Sequence, residues 1–186
     1  MKTIIFLLLS LSLVSSGLAQ PFVRGTNAIN AGIGLGSSLG SFGYSSQTPA
    51  LSVQYDRGIW DIGGPGVISL GGYMGYKSFK NSYESGSLNY RHSWKYTVIG
   101  VRAAYHYNGF DTDKLDLYGG TMLSYNILNY SYEDNGGQID SSGSYGSTAG
   151  LSLFGGARYF FTDHLAAMAE AGYGISYFTV GLSLKF

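Results

Sequence analysis

The chain has 186 residues with 11 basic and 11 acidic side chains, so its formal charge is zero, and only 12% of it is charged. A nucleic-acid partner needs a basic face, and this balance offers none. The absence of cysteine rules out a disulfide framework and an acylated lipoprotein cysteine, while 29 Gly, 17 Tyr and 10 Phe point to closely packed strands with an aromatic surface.

Residues 1–19 read as a secretory signal peptide. Lys2 is a short basic start, Ile4 to Val14 form an apolar run, and Gly17 and Ala19 put small residues at −3 and −1 of a cleavage site before Gln20. The run is too short to cross a hydrocarbon core of ~30 Å as a helix. Residues 20–186 are then expected to form one domain.

Period-two alternation recurs along that domain, beginning with Ile29, Ala31, Ile33 and Leu35 set against Asn30, Gly32, Gly34 and Gly36. Leu51–Asp56 follow with the same period. Longer runs cover residues 67–76, 96–107, 115–127, 148–161 and 165–174, and the eighth run, 178–186, ends the chain. Most of the runs are close to what a tilted strand needs to span a bilayer. The links at 58–65, 108–114 and 162–164 are short, with turn chemistry such as Gly63-Gly64-Pro65-Gly66 and Asn108-Gly109. Those at 37–48, 78–93 and 130–147 are longer and polar, and are expected to be loops. The last hairpin, around Ile175 to Tyr177, must be tight. The expected fold is all-β: an eight-stranded antiparallel up-and-down barrel.

A soluble barrel of lipocalin type is the structural rival, because alternation does not say which face is apolar. The glycines decide between them. Residues 32, 34, 36, 71, 75, 100, 120, 150, 156, 172, 174 and 181 fall on the mixed polar face, whereas only 72, 119 and 155 fall on the apolar one. A barrel of this size has an interior just wide enough to be filled by side chains. With the mixed face inward, glycine makes room for Tyr73, Tyr96, Tyr118, Met122, Phe154, Phe160 and Met168. The aliphatic face then meets lipid. Aromatic girdles are expected at both interfaces: Trp60, Tyr105, Tyr107, Phe110, Tyr159, Phe161 and Phe186 on one side, and Tyr76, Phe79, Trp94, Tyr125, Tyr173 and Phe178 on the other.

The C-terminal residues carry a more specific pattern. A polar Thr179, then Gly181, an apolar Leu184 and a terminal Phe186 resemble the signal that the barrel-assembly machinery reads on outer-membrane proteins. With the signal peptide and the eight runs, the chain resembles the outer-membrane β-barrel domain family, the small barrels related to outer-membrane proteins A, X and W. The resemblance implies a transmembrane barrel in the cell outer membrane of a Gram-negative-type envelope. Its partners would be outer-membrane lipid, lipopolysaccharide and the assembly machinery during biogenesis. The family has no single activity to transfer.

The inward register holds six charges of mixed sign: Asp56, Arg102, Asp116, Arg158, Glu170 and Lys185. An unpaired buried charge costs several kcal/mol, so equal signs point to a paired plug rather than an ion path. His92-Ser93 are neighbours on opposite faces, His106 lies inward, His164 lies in a turn, and no triad or metal spacing unites them. Glu133, Asp134 and Asp140 lack the spacing of a cation loop. Lys80, Arg91 and Lys95 flank the second long link and are candidate contacts for lipopolysaccharide phosphates. The expectation is therefore a non-enzymatic, monomeric envelope protein without a cofactor or metal. Its filled lumen would carry nothing, and its external loops would support envelope integrity or surface contact. The alternatives are a narrow channel or conduit for small hydrophobic molecules, and a lipid-modifying enzyme.

Overall fold

The structure is a computed structural model and describes residues 22–186 apart from 41–42, 86–87, 111, 113, 135–140 and 145. The signal peptide and its cleavage site lie outside the described residues. The strands are β1 (Asn27–Leu35), β2 (Ser46–Gln47), β3 (Ala50–Asp61), β4 (Gly66–Ser85), β5 (Leu88–Tyr107), β6 (Leu115–Asp134), β7 (Ser141–Ser144), β8 (Thr148–Phe160), β9 (Leu165–Gly172) and β10 (Phe178–Lys185). Eight of them form one antiparallel circuit, β1-β3-β4-β5-β6-β8-β9-β10. It closes where β10 pairs with β1, from Leu35–Phe178 to Ala28–Lys185. The short β2 and β7 pair with β4 and β6 beyond the barrel. A closed circuit leaves no unpaired edge, the condition for a sheet in lipid.

Period two becomes an inverted barrel. Along β3, Leu51, Val53 and Tyr55 are exposed whereas Ser52, Gln54 and Asp56 are buried, with Asp56 at 0% exposure. The same division holds around the circuit. Leu35, Leu70, Ile99, Leu123, Leu153 and Leu182 face out, Ala169 is half-buried on that face, and Tyr73, Tyr118, Met122, Phe160 and Met168 are buried. A soluble barrel has the opposite arrangement. Glycine allows the tight curvature: a Cβ on Gly71, Gly120 or Gly181 would run into the backbone of the neighbouring strand at Tyr55, Ala103 or Ala31, while one on the outward Gly72 would meet nothing.

Three expectations are corrected. Residues 78–93 are not a loop: β4 and β5 stay in unbroken register from Gly66–Tyr107 to Ser85–Leu88, and β6 likewise runs on to Asp134. These hairpins continue past the apolar belt, where the outward face turns polar at Ser78, Lys80, Ser82 and Lys95 and apolar–polar alternation no longer marks them, while the inward face keeps Phe79, Trp94 and Tyr96. At the opposite end the link expected at 58–65 is shorter, because β3 runs on to Asp61 through a bulge between Gly58 and Trp60; the bulge shifts the register and turns Trp60 outward opposite Ile68, in keeping with its place in the girdle. Finally, Phe79 does not belong to the girdle: it is buried at 1% exposure, and its cross-strand partner Trp94 shares that face.

Cysteines placed at Leu35, Val53, Leu70, Ile99, Leu123, Leu153, Ala169 and Leu182 are expected to resist a water-soluble thiol reagent in membranes, while one at the exposed Ser82 reacts. Uniform reactivity, read by mass shift, would mean that the apolar face meets water.

Candidate functional site

The polar residues of the inward faces converge in the half of the lumen nearer the termini. Arg158, at the end of β8, reaches Asp56 on β3 and sets Nη1 2.9 Å from Asp116 Oδ2 on β6. Arg102 on β5 sets Nε 3.1 Å from Asp56 Oδ1, an ion-pair distance with the N–H not aimed along it, and Nη2 donates to Glu170 Oε2 at 2.8 Å. Asp56 thus bridges two guanidinium groups, and a continuous chain Glu170–Arg102–Asp56–Arg158–Asp116 crosses the lumen. Both arginines also lie over aromatic faces. Arg102 is 3.9 Å from the Phe154 ring centre, and Arg158 is 4.5 Å from that of Tyr118. Lys185 is placed elsewhere, with its ammonium 4.2 Å from the centre of the Phe160 ring.

The chain continues into a group that sequence reasoning missed. His106 Nδ1–H donates to Asp116 Oδ1 at 2.9 Å, and His106 Nε2 lies 3.0 Å from Ser69 Oγ. This is the order of a Ser-His-Asp relay, assembled from β4, β5 and β6, and it corrects the expectation that no triad forms around His106. All three side chains are buried. Phe22 stacks on the imidazole at 3.9 Å between ring centres, Arg158 competes for Asp116, and the Ser69 backbone lies within ladders to both β3 and β5. Acyl transfer also needs an approach to the hydroxyl and free N–H donors for an oxyanion. Ser69 is 0% exposed, so its hydroxyl has no open approach.

The lumen is capped at both ends. Phe22, 1% exposed, packs with Ala28 and Val67 and accepts a hydrogen bond at its carbonyl from Asn108 Nδ2 at 2.9 Å. Gly58 admits this segment, because a Cβ there would strike the Val23 carbonyl. At the other end Ile175, from the link between β9 and β10, turns inward onto Ala50, Tyr73, Val98 and Met122. Between the cap and the charges, a void of about 20 Å³ beside Arg102 and Glu170 has room for about one water.

No protein-family model matches the chain, and no curated protein matches it. Solved structures do. The attachment invasion locus protein Ail of Yersinia pestis, solved with the heparin analogue sucrose octasulfate, superposes with a TM-score of 0.51 at 12% identity, covering 88% of this chain and 100% of that one. The N-terminal β-barrel domain of Pseudomonas aeruginosa OprF superposes with a TM-score of 0.50 at 16% identity, covering 88% of this chain and 98% of the domain. The fold is that of the small outer-membrane β-barrels.

On this small outer-membrane barrel fold the remaining candidates fall at the ends of the strands. His92 Nδ1 lies 2.7 Å from the Tyr130 hydroxyl and is stacked among Trp94, Tyr130 and Tyr132, whereas Ser93 is on the other face, opposite Lys80 and Ser131. His164 Nδ1 donates to the Lys185 carbonyl at 2.8 Å. Glu133 pairs with Arg91 at 3.4 Å. Asp140 and the side chain of Asp134 lie outside the described residues, and no metal-binding cluster occurs among those that are described. Lys80, Arg91 and Lys95 are exposed on the outward faces of the β4–β5 extension. Thr179 is buried, Gly181 packs against the β1 backbone, and Leu184 and Phe186 point outward along β10.

Proposed function

We propose that this chain is a non-enzymatic integral outer-membrane protein with a filled lumen, acting through the hairpins that rise beyond the membrane, where it supports envelope integrity or contacts another surface. The single observation that carries the reading is the ion-pair chain closed between two caps. Three carboxylates and two guanidinium groups join in one connected chain at the centre, with His106 donating to Asp116, so an ion crossing the lumen would have to break several buried pairs. The short turns and both termini then face the periplasm, and β4, β5 and β6 extend outward. Lys80, Arg91 and Lys95 are the candidate contacts for lipopolysaccharide phosphates in this reading: Lys80 and Lys95 are the first outward cations past the apolar belt, at about 1 kcal/mol for each free cation at a charged surface, and Arg91 is about 13 Å beyond Lys95 along the strand and tied to Glu133. Thr179, Gly181, Leu184 and Phe186 are the assembly signal, and the barrel works as a monomer.

Planar-bilayer recordings test the lumen. The wild type is expected to show no stable conductance, and Phe22→Ala at most brief openings; a steady wild-type pore would sink the reading. The enzymatic alternative has one observation in its favour, the Ser69–His106–Asp116 geometry. It is tested by a fluorophosphonate probe on the folded barrel, where Ser69 is expected to stay unlabelled. Stoichiometric labelling would make the barrel a hydrolase.

A further inference from the structure

A broad, open apolar depression of about 880 Å³ lies on the outside of the barrel where β10, β1, β3, β4 and β5 run side by side. Register explains it. Ala31 stands between Leu182 and Val53, with Met74 beyond, so a methyl group occupies the middle of a row of long side chains. Tyr76 and its partner Thr97 form the wall toward the hairpin extension.

The outward residues immediately past that wall change character. Two positions beyond Thr97, about 7 Å along the strand, comes Lys95, whose cross-strand neighbours are Ser78 and Asn129. Lys80 follows Ser78 on β4 and lies between Ser46 and Ser93. Lys95 and Lys80 are diagonal neighbours on one face, and such neighbours come within ~7–8 Å of each other. Among the described residues neither lysine is in an ion pair, whereas Arg91, on the same face, is held by Glu133 at 3.4 Å. Two uncompensated ammonium groups thus stand among hydroxyl and amide side chains at the mouth of an apolar recess.

We infer that the recess and the two lysines form one seat for a phosphate-bearing, multiply acylated lipid of the outer leaflet. One acyl chain lies over Ala31, the phosphate is held between Lys80 and Lys95, and Arg91 takes no part. This rests on the outer-membrane reading and narrows it from a charged rim to a shaped site. Charge complementarity selects the head group, and the place of the lysines one outward step past the Tyr76–Thr97 rim of the recess selects an acylated lipid over a free anion.

The probe is lipid A, titrated into the purified full barrel in neutral detergent micelles and followed by native mass spectrometry. Ala31→Trp, which puts an indole in the middle of the recess, and the double variant Lys80→Ala/Lys95→Ala are each expected to weaken binding roughly tenfold or more, and Arg91→Ala less than about twofold. Val53→Trp obstructs the same recess if Ala31→Trp fails to fold, with folding read from the heat-dependent gel shift of an intact barrel. Binding unchanged by either tryptophan, or equal binding of inorganic phosphate, would overturn the seat in favour of a simple cationic rim. Loss on Arg91→Ala equal to that on the lysine pair would overturn the assignment of the phosphate. Fractionation of the same variants in cells reports the location separately, so a barrel that reaches the outer membrane yet ignores Ala31→Trp refutes the seat alone.

Discussion

Arg158→Ala is expected to cost about 3–5 kcal/mol of folding stability, the range for removing one partner of a buried ion pair. Its guanidinium is fully buried, and its loss takes a partner from both Asp56 and Asp116. Asp56 keeps Arg102 and Asp116 keeps His106, but each carboxylate then faces an enlarged low-dielectric space that no longer neutralises it. The measurement is the denaturant midpoint for unfolding from micelles at unchanged slope. Arg158→Met/Asp116→Leu separates charge from packing: with no orphaned charge at this pair, the double variant is expected to recover part of the loss. Equal losses in single and double variants would mean that Arg158 acts as a space-filler. Arg91→Ala at the exposed Glu133 pair is the control, at less than about 1 kcal/mol.

Phe186→Ala is expected to cut outer-membrane levels in cells to a small fraction of wild type while leaving refolding into detergent nearly intact. The seam between β10 and β1 ends in two reciprocal backbone bonds, Asn27 N–H to the Phe186 carbonyl and Phe186 N–H to the Asn27 carbonyl, both at 2.9 Å. Alanine keeps both. The ring itself is 58% exposed on the outward face, so it adds little to packing within the barrel. Its loss should therefore be felt where a receptor reads the terminal aromatic, and quantitative blotting of membrane fractions against refolding yield tests this. Parallel losses in both settings would reduce Phe186 to a packing residue, and unchanged levels in cells would count against the outer-membrane assignment.

The eight barrel strands and the side chains facing in or out were legible in the sequence because successive residues of a strand point to opposite faces whatever the partners. That is why Asp56, Arg102, Asp116 and Arg158 could be assigned to the lumen as a set. Their pairing was not legible. Ser69, His106 and Asp116 meet because the β4–β5–β6 register brings neighbouring inward residues together, and Arg158 reaches Asp56, 102 residues away, across the barrel. Nothing in the local pattern around Ser69 distinguishes it from any other inward serine.

Where the sequence misleads, the periodic signal has ended or slipped. The hairpin beyond Tyr76 keeps its ladder to Ser85 without an apolar outward face, since backbone pairing continues after the lipid that imposed the alternation has been left behind. The Gly58 bulge reverses the parity that placed every earlier residue of β3, and Phe22 lies outside any strand. By itself, then, the sequence determined an inverted eight-stranded barrel, its lipid face and the composition of its lumen, because backbone geometry and solvent preference act residue by residue. Only the tertiary structure decided the order of the ion pairs, the relay at His106, the caps made by Phe22 and Ile175, and the recess around Ala31. Each of these depends on strand register and barrel closure, which bring together residues far apart in the chain.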